Sequence, residues 1–119
     1  MTSKEYLKTL KKLDLKIKQK REQLQEINKT DKTSMSELYN EISNTILDYE
    51  NMKNNIINEI HKLDNAKHIE LLYMRYVKCL ELQKIAEQMN YSYDRIKHLH
   101  NAALKEFQSK ILNTIHDDK

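Results

Sequence analysis

Between Ser92 and His98 the chain carries a hydroxyl, a phenol (Tyr93), a carboxylate (Asp94), a guanidinium (Arg95), an ammonium (Lys97) and an imidazole (His98). Ile96 is the aliphatic residue of this stretch, and Leu99 directly follows the stretch. On a helix they turn to one face and leave Tyr93, Asp94, Arg95, Lys97 and His98 pointing outward. That set suits recognition: it can hydrogen-bond a polar surface and pair with an anion, and the unpaired N–H groups of a first helical turn add positive potential beside it. Covalent chemistry finds no comparable support. No Ser/His/Asp, Cys/His or paired-carboxylate arrangement stands out, so no enzyme activity and no small-molecule substrate are expected. The five histidines offer no i, i+4 ligand pair: His98 and His100 are two apart, and His61 and His68 straddle a helix break. No metal and no cofactor are therefore expected. The single cysteine, Cys79, has no partner for an internal disulfide, fits a reducing cytoplasm and reads as a small buried hydrophobe.

Positioning that outward surface takes two short helices and a tight turn. The pattern predicts helices over about 66–77, 81–89 and 92–113. Ile85 and Ala86 face inward on the second, where Ala86 is small enough for another helix to cross closely, and Met89 ends it. Ile96 and Leu99 form the inward face of the third. In Met89-Asn90-Tyr91-Ser92, Asn90 occupies the place where such a turn usually takes glycine, and asparagine is the non-glycine residue that best tolerates a left-handed backbone. Ser92 is then the N-cap of the third helix. Tyr76 and Tyr91 are placed for core or rim packing.

The remainder of the chain is also read as helical. It has 119 residues with no glycine and no proline, where average usage of about 7% and 5% would give roughly 14. Folds built on many tight turns are improbable, and Gly-rich phosphate loops are excluded. From Tyr6 the apolar residues fall in two heptad rows, Leu10, Ile17, Leu24 and Tyr6, Leu13, Lys20, Ile27, on a helix from about 3 to 29. A polar run, Asn28 to Thr33, breaks it. Ser34-x-x-Glu37 is a capping box opening a second helix, which carries Met35, Ile42, Tyr49, Ile56 and Leu63 at strict sevens. Leu38, Tyr39, Ile46, Met52 and Ile60 broaden its stripe beyond what one neighbour would cover. The formal net charge of +3 hides an asymmetry: residues 1–30 carry +5, 31–66 carry −4 and 67–119 carry +2. Basic and acidic flanks of nearly equal length favour an antiparallel hairpin, with a parallel intermolecular coil through the first helix as the rival. Asp64 and Asn65 are N-cap types that end this region. The expected fold is thus all-α: a long antiparallel helical hairpin over 1–65 for dimerisation or partner docking, then a three-helix domain over 66–119. No apolar run approaches the ~20 residues that span a bilayer, so a cytoplasmic protein without a membrane partner is expected.

LLYMRYV (Leu71 to Val77) followed by IAEQMNYSYDRIKHLHNAALKEF (Ile85 to Phe107) resembles region 4 of bacterial sigma factors, where VLxxRF and then IAxxxxVSxxRIRQIxxxALxxL recur. The full layout is similar to small phage regulators of late transcription of the ArpU and RinA type. The resemblance implies a helix-turn-helix with Ile85, Ala86, Met89, Asn90, Ile96 and Leu99 as its core and a recognition helix over 92–107 in the major groove of a promoter or operator. It puts Tyr93, Asp94, Lys97 and His98 at base-contacting positions, and Lys84, Ser92 and Arg95 at phosphate contacts. Two positions depart from the pattern: Glu81 stands where Ser or Thr usually opens the first helix of the motif, and Tyr93 replaces a frequent arginine, removing a bidentate guanine contact. The implied function is sequence-specific transcription regulation, as a phage or mobile-element activator. The expected partners are double-stranded DNA, a second copy of the chain, and RNA polymerase as a further candidate. The alternative is a protein-interaction module that binds polymerase, or mimics region 4, without reading DNA.

Overall fold

The heptad rows do form two long helices. A computed structural model describes residues 1–28 and 36–116, and among these all regular structure is helical. Helix α1 spans Ser3–Asn28 and α2 spans Ser36–Ile60. The Ser34 cap, Met35 and the polar run after Asn28 lie outside the described residues. α3 (Ala66–Leu72) continues into a π-helical segment, Tyr73–Val77. α4 (Leu82–Met89) and α5 (Tyr93–Phe107) follow, and α5 passes into a second π segment, Gln108–Leu112, and a last turn, Asn113–His116. The pattern anticipated each helix but not the π segments, which are rare and as short as one turn. No helix is long and apolar enough to cross a membrane.

Packing divides the chain into two compact units, Met1–Lys11 with Ile56–Lys119, and Lys12–Asn55. These do not coincide with a cut at 65/66, because the first turns of α1 and the end of α2 pack within the unit that holds α3 to α5.

In the unit Lys12–Asn55, Ile17, Ile27, Ile42 and Ile46 form a buried cluster, with the half-buried Leu24 and Tyr49 against it. Leu13 is also buried. Each such side chain contributes roughly 1.5–3 kcal/mol on burial, so the apolar seam holds α1 to α2. The cross-helix ion pairs are partly exposed and worth about 0–1 kcal/mol each, but they record the direction of pairing. Asp14 pairs with Lys53 at 2.6 Å and Arg21 with Glu50, so later positions on α1 meet earlier ones on α2. Arg21–Glu50 follows the basic-to-acidic polarity read from the sequence, and Asp14–Lys53 reverses it. The broad stripe of α2 is not fully covered: Leu38, Tyr39 and Met52 are exposed, as is Leu47.

In the unit formed by Met1–Lys11 and Ile56–Lys119, Leu7, Leu10, Ile60, Leu71, Leu72, Ile85, Ile96 and Phe107 are fully buried. Ile56 and Leu63 also belong to this core. α2 stops at Ile60, three residues before the last member of its sevenfold row, and Leu63 reaches the core from the following turn, where its N–H donates to the Ile60 carbonyl at 3.2 Å. The Tyr6 hydroxyl donates to Glu59. Burial, and then that carboxylate, push the phenol well above its usual range.

Candidate nucleic-acid interface

The surface of interest is built on the connection between α4 and α5. Ile85, Ala86 and Met89 are buried along one side of α4. The helix then ends on Asn90, whose backbone is left-handed at φ 60°, ψ 41°. The Asn90 N–H donates to the Glu87 carbonyl, and the Tyr91 N–H donates to that of Ala86 at 3.0 Å, satisfying carbonyls that the last turn would otherwise leave bare. Ser92 is extended, and its side-chain oxygen accepts from the Arg95 N–H at 3.1 Å. Turn and cap are therefore those that the residue types predicted. At the other end of α4, Glu81 makes no side-chain cap hydrogen bond.

Two expectations need correction. Leu99 is only half-buried, and the neighbouring His100 takes the interior place, 7% exposed. Its Nε2 lies 2.8 Å from the Tyr76 hydroxyl, and the two rings stack with centroids 5.8 Å apart. Burial first, then the charges of Arg75 and Lys4, push the imidazole down to about 4, so it is neutral at pH 7. Burial likewise raises the Tyr76 phenol, against the nearby Arg75 charge. Cys79 is exposed rather than buried. It occupies the second left-handed position, φ 59°, where the chain turns from the π segment toward α4, and a residue making that turn does not point into the core.

Tyr93, Asp94, Arg95, Lys97 and His98 are all exposed on α5, and Lys84 is exposed on α4. Lys97 stands 3.4 Å from Asp94 and lies over the Tyr93 ring at 4.9 Å. Arg95 lies over Tyr91 at 4.0 Å, and Lys67 of α3 approaches the same ring at 5.9 Å. His98 Nδ1 is 3.1 Å from the Asp94 carbonyl. A carbonyl only accepts, so Nδ1 carries the proton, and Nε2 of the neutral ring is an acceptor. Ile85, Ala86, Met89 and Ile96 turn inward and the polar set outward, as read; Asn90, expected with that core, is exposed, because its left-handed backbone rather than a buried side chain makes the turn. Lys67 was not among the residues singled out in the sequence, because only the folded chain brings the start of α3 to Tyr91.

A polar network ties α3 to α5. Asn65 caps α3 by accepting from the N–H groups of Lys67 and His68. Glu106 accepts from the Asp64 N–H at 2.8 Å, its other oxygen lies 2.7 Å from His68 Nδ1, and Lys110 pairs with Asp64 at 2.7 Å. Burial pushes the Glu106 carboxyl up, but the Asp64 N–H and His68 outweigh it and hold the group below its ordinary range. Among the described residues no cluster of three or more His, Cys, Asp or Glu could hold a metal ion. Comparison of the chain with protein-family models, curated proteins and solved structures gives no match.

Proposed function

We propose that the chain is a sequence-specific regulator of transcription that binds double-stranded DNA, with α4 and α5 as a helix-turn-helix, and that it serves a phage or mobile element as an activator in the bacterial cytoplasm. The observation that carries this reading is the junction at 90–92. A left-handed Asn90 and a capping Ser92 hold two helices on a common core, and every residue of the α5 first turns that is not needed for that core is exposed and polar. By this reading α5 enters the major groove, α4 rests on the backbone, Asp94 and His98 accept from base amino groups, and Lys97 donates. Arg95, Ser92 and Lys84 face phosphate.

A single module makes too few contacts for the roughly 10⁻⁸ M or tighter binding of specific regulators. A second recognition helix or a polymerase contact must supply the rest. We read α1 and α2 as an antiparallel hairpin whose exposed Leu38, Tyr39 and Met52 form the homodimer contact. The intramolecular seam makes the rival parallel coil through α1 unnecessary. Light scattering tests the dimer: a mass near 14.3 kDa at micromolar concentration would reject it.

Footprinting tests DNA recognition. Lys97→Ala and His98→Ala should each weaken specific binding by about 1–3 kcal/mol, roughly 5- to 150-fold, and unchanged protection would exclude the groove placement. The uncapped Glu81 at the start of α4 favours a second reading, a module that docks on RNA polymerase without reading DNA, since a carboxylate there repels phosphate. Promoter protection that appears only with polymerase present would select it.

A further inference from the structure

The first turns of α1 carry lysines on the side away from the core. Ser3, Leu7 and Leu10 are buried, whereas Lys4, Lys8 and Lys11 are exposed at spacings of four and three, which stacks them along one helical face. Ion pairs leave these three ammonium groups unneutralised among the described residues. The nearest acid in sequence, Glu5, accepts from the Thr2 N–H and hydroxyl, each at 3.0 Å, and although it feels the Lys8 charge it makes no ion pair with the row.

This segment is fixed to α5. The Ser3 N–H donates to the Gln108 side chain at 2.9 Å, the Ser3 hydroxyl donates to the Leu104 carbonyl at 2.9 Å, and the Tyr6 and Phe107 rings meet at 5.9 Å. The Lys4 charge is close enough to be felt at the buried His100 imidazole. The start of the lysine row therefore sits beside the C-terminal half of α5, which exposes Lys105, within one compact unit, and Lys97 is exposed on the N-terminal half of the same helix. Arg95, Tyr91 and Lys67 mark a different flank of the same helix. A helix lying in a groove has a phosphate strand on either side of it, and cations on two flanks are what such a seat requires.

We propose that Lys4, Lys8 and Lys11 form a second phosphate-contacting row, which engages the backbone of duplex DNA alongside α5 and contributes affinity without sequence preference. The inference rests on the DNA-binding reading above and adds a contact segment that lies far from the motif in sequence.

The test is fluorescence anisotropy of a labelled mixed-sequence duplex, titrated with the full chain between about 50 and 200 mM salt. Each phosphate contact contributes about 0.9 to the slope of log K against log salt. Lys4→Ala/Lys8→Ala/Lys11→Ala should flatten the slope by about 2.7, and the matching Lys→Arg triple variant should restore it. Lys12→Ala/Lys18→Ala, on the same helix but in the other compact unit, should change the slope by much less. Circular dichroism checks that the variants keep their helix content. Binding by the unaltered chain with an unchanged slope in the alanine triple, or an equal loss per charge in the Lys12/Lys18 variant, would overturn the row while leaving the DNA-binding reading intact. No duplex binding by the unaltered chain, with or without polymerase, would overturn both.

Discussion

His100 should make the protein acid-labile in a defined window. Its imidazole is buried against Tyr76 and held at about 4, whereas an unfolded chain titrates near 6.5. Between these values the unfolded state takes up a proton that the folded state refuses. The contribution is thus fully present above about pH 6.5 and lost as pH falls toward 4, with no further loss below. At about 1.36 kcal/mol per pKa unit, the gap amounts to about 3 kcal/mol, a large fraction of the stability of a small domain. Urea unfolding followed by circular dichroism at steps from pH 7 to pH 4 measures it, with His100→Gln as the reference because glutamine keeps an acceptor for the Tyr76 hydroxyl and does not titrate. Carboxylates contribute to both curves and cancel in the difference. The stability advantage of the unaltered protein over His100→Gln should shrink by about 3 kcal/mol across the range. Parallel curves between pH 7 and pH 4 would refute the argument, as would an NMR titration of the His100 ring centred near 6.5.

The left-handed positions give two further expectations. Asn90→Gly should leave the urea midpoint unchanged or raise it, whereas Asn90→Ala should cost about 1 kcal/mol, since a Cβ without a compensating polar group is penalised there. At Cys79, replacement by glycine should stabilise by about 1 kcal/mol and replacement by alanine should do little, because Cys and Ala carry the same Cβ; equal midpoints for the two variants would show that φ is not the determinant. Glu81→Ser should add a side-chain cap to α4 worth about 0.5–2 kcal/mol and, if the proposed DNA-binding reading holds, also tighten duplex binding in the anisotropy assay by removing a carboxylate from the end of α4 placed at the phosphates.

The long helices were legible because burial imposes a period that survives in one sequence: Leu10, Leu13, Ile17 and Ile27 on α1, and Ile42 and Ile56 on α2 with Leu63 just beyond it, are buried as the heptad rows require. The candidate site was legible for a local reason. Cap, turn and helix face depend on residues within four positions of each other, so Ser92, Asn90 and the outward set could be read without knowing the fold. What could not be read depends on distant partners. Leu99 reads as the inward residue because it is apolar, but His100 falls in register with Ile96, Ala103 and Phe107 at spacings of four, three and four, and its polar ring is accommodated there by the Tyr76 hydroxyl 24 positions away. The union of Glu106 with His68 and Asp64, and the docking of Ser3 on Leu104 and Gln108, are likewise closed only by the folded chain.

The absence of glycine places the two left-handed residues where their cost has a use. α4 has eight residues, too few to be stable alone, since nucleation outweighs so short a run of hydrogen bonds. Its course is set by three buried side chains, Ile85, Ala86 and Met89, and by left-handed residues on either side, Cys79 before it and Asn90 after it. Neither has the freedom of glycine, so the unfolded chain gives up less entropy on entering these turns, and in the folded state the range of alternative backbone paths is narrow. Further bonds close the first turn: the Leu80 N–H donates to the Met74 carbonyl at 3.0 Å, and Arg75 donates to the Leu80 carbonyl at 2.9 Å. On the DNA-binding reading proposed above, an α5 face presented on such a support is ordered before the duplex arrives. A surface already ordered binds without the cost of ordering it, and for the proposed module, with its few contacts, that saving is a substantial part of the affinity it can reach.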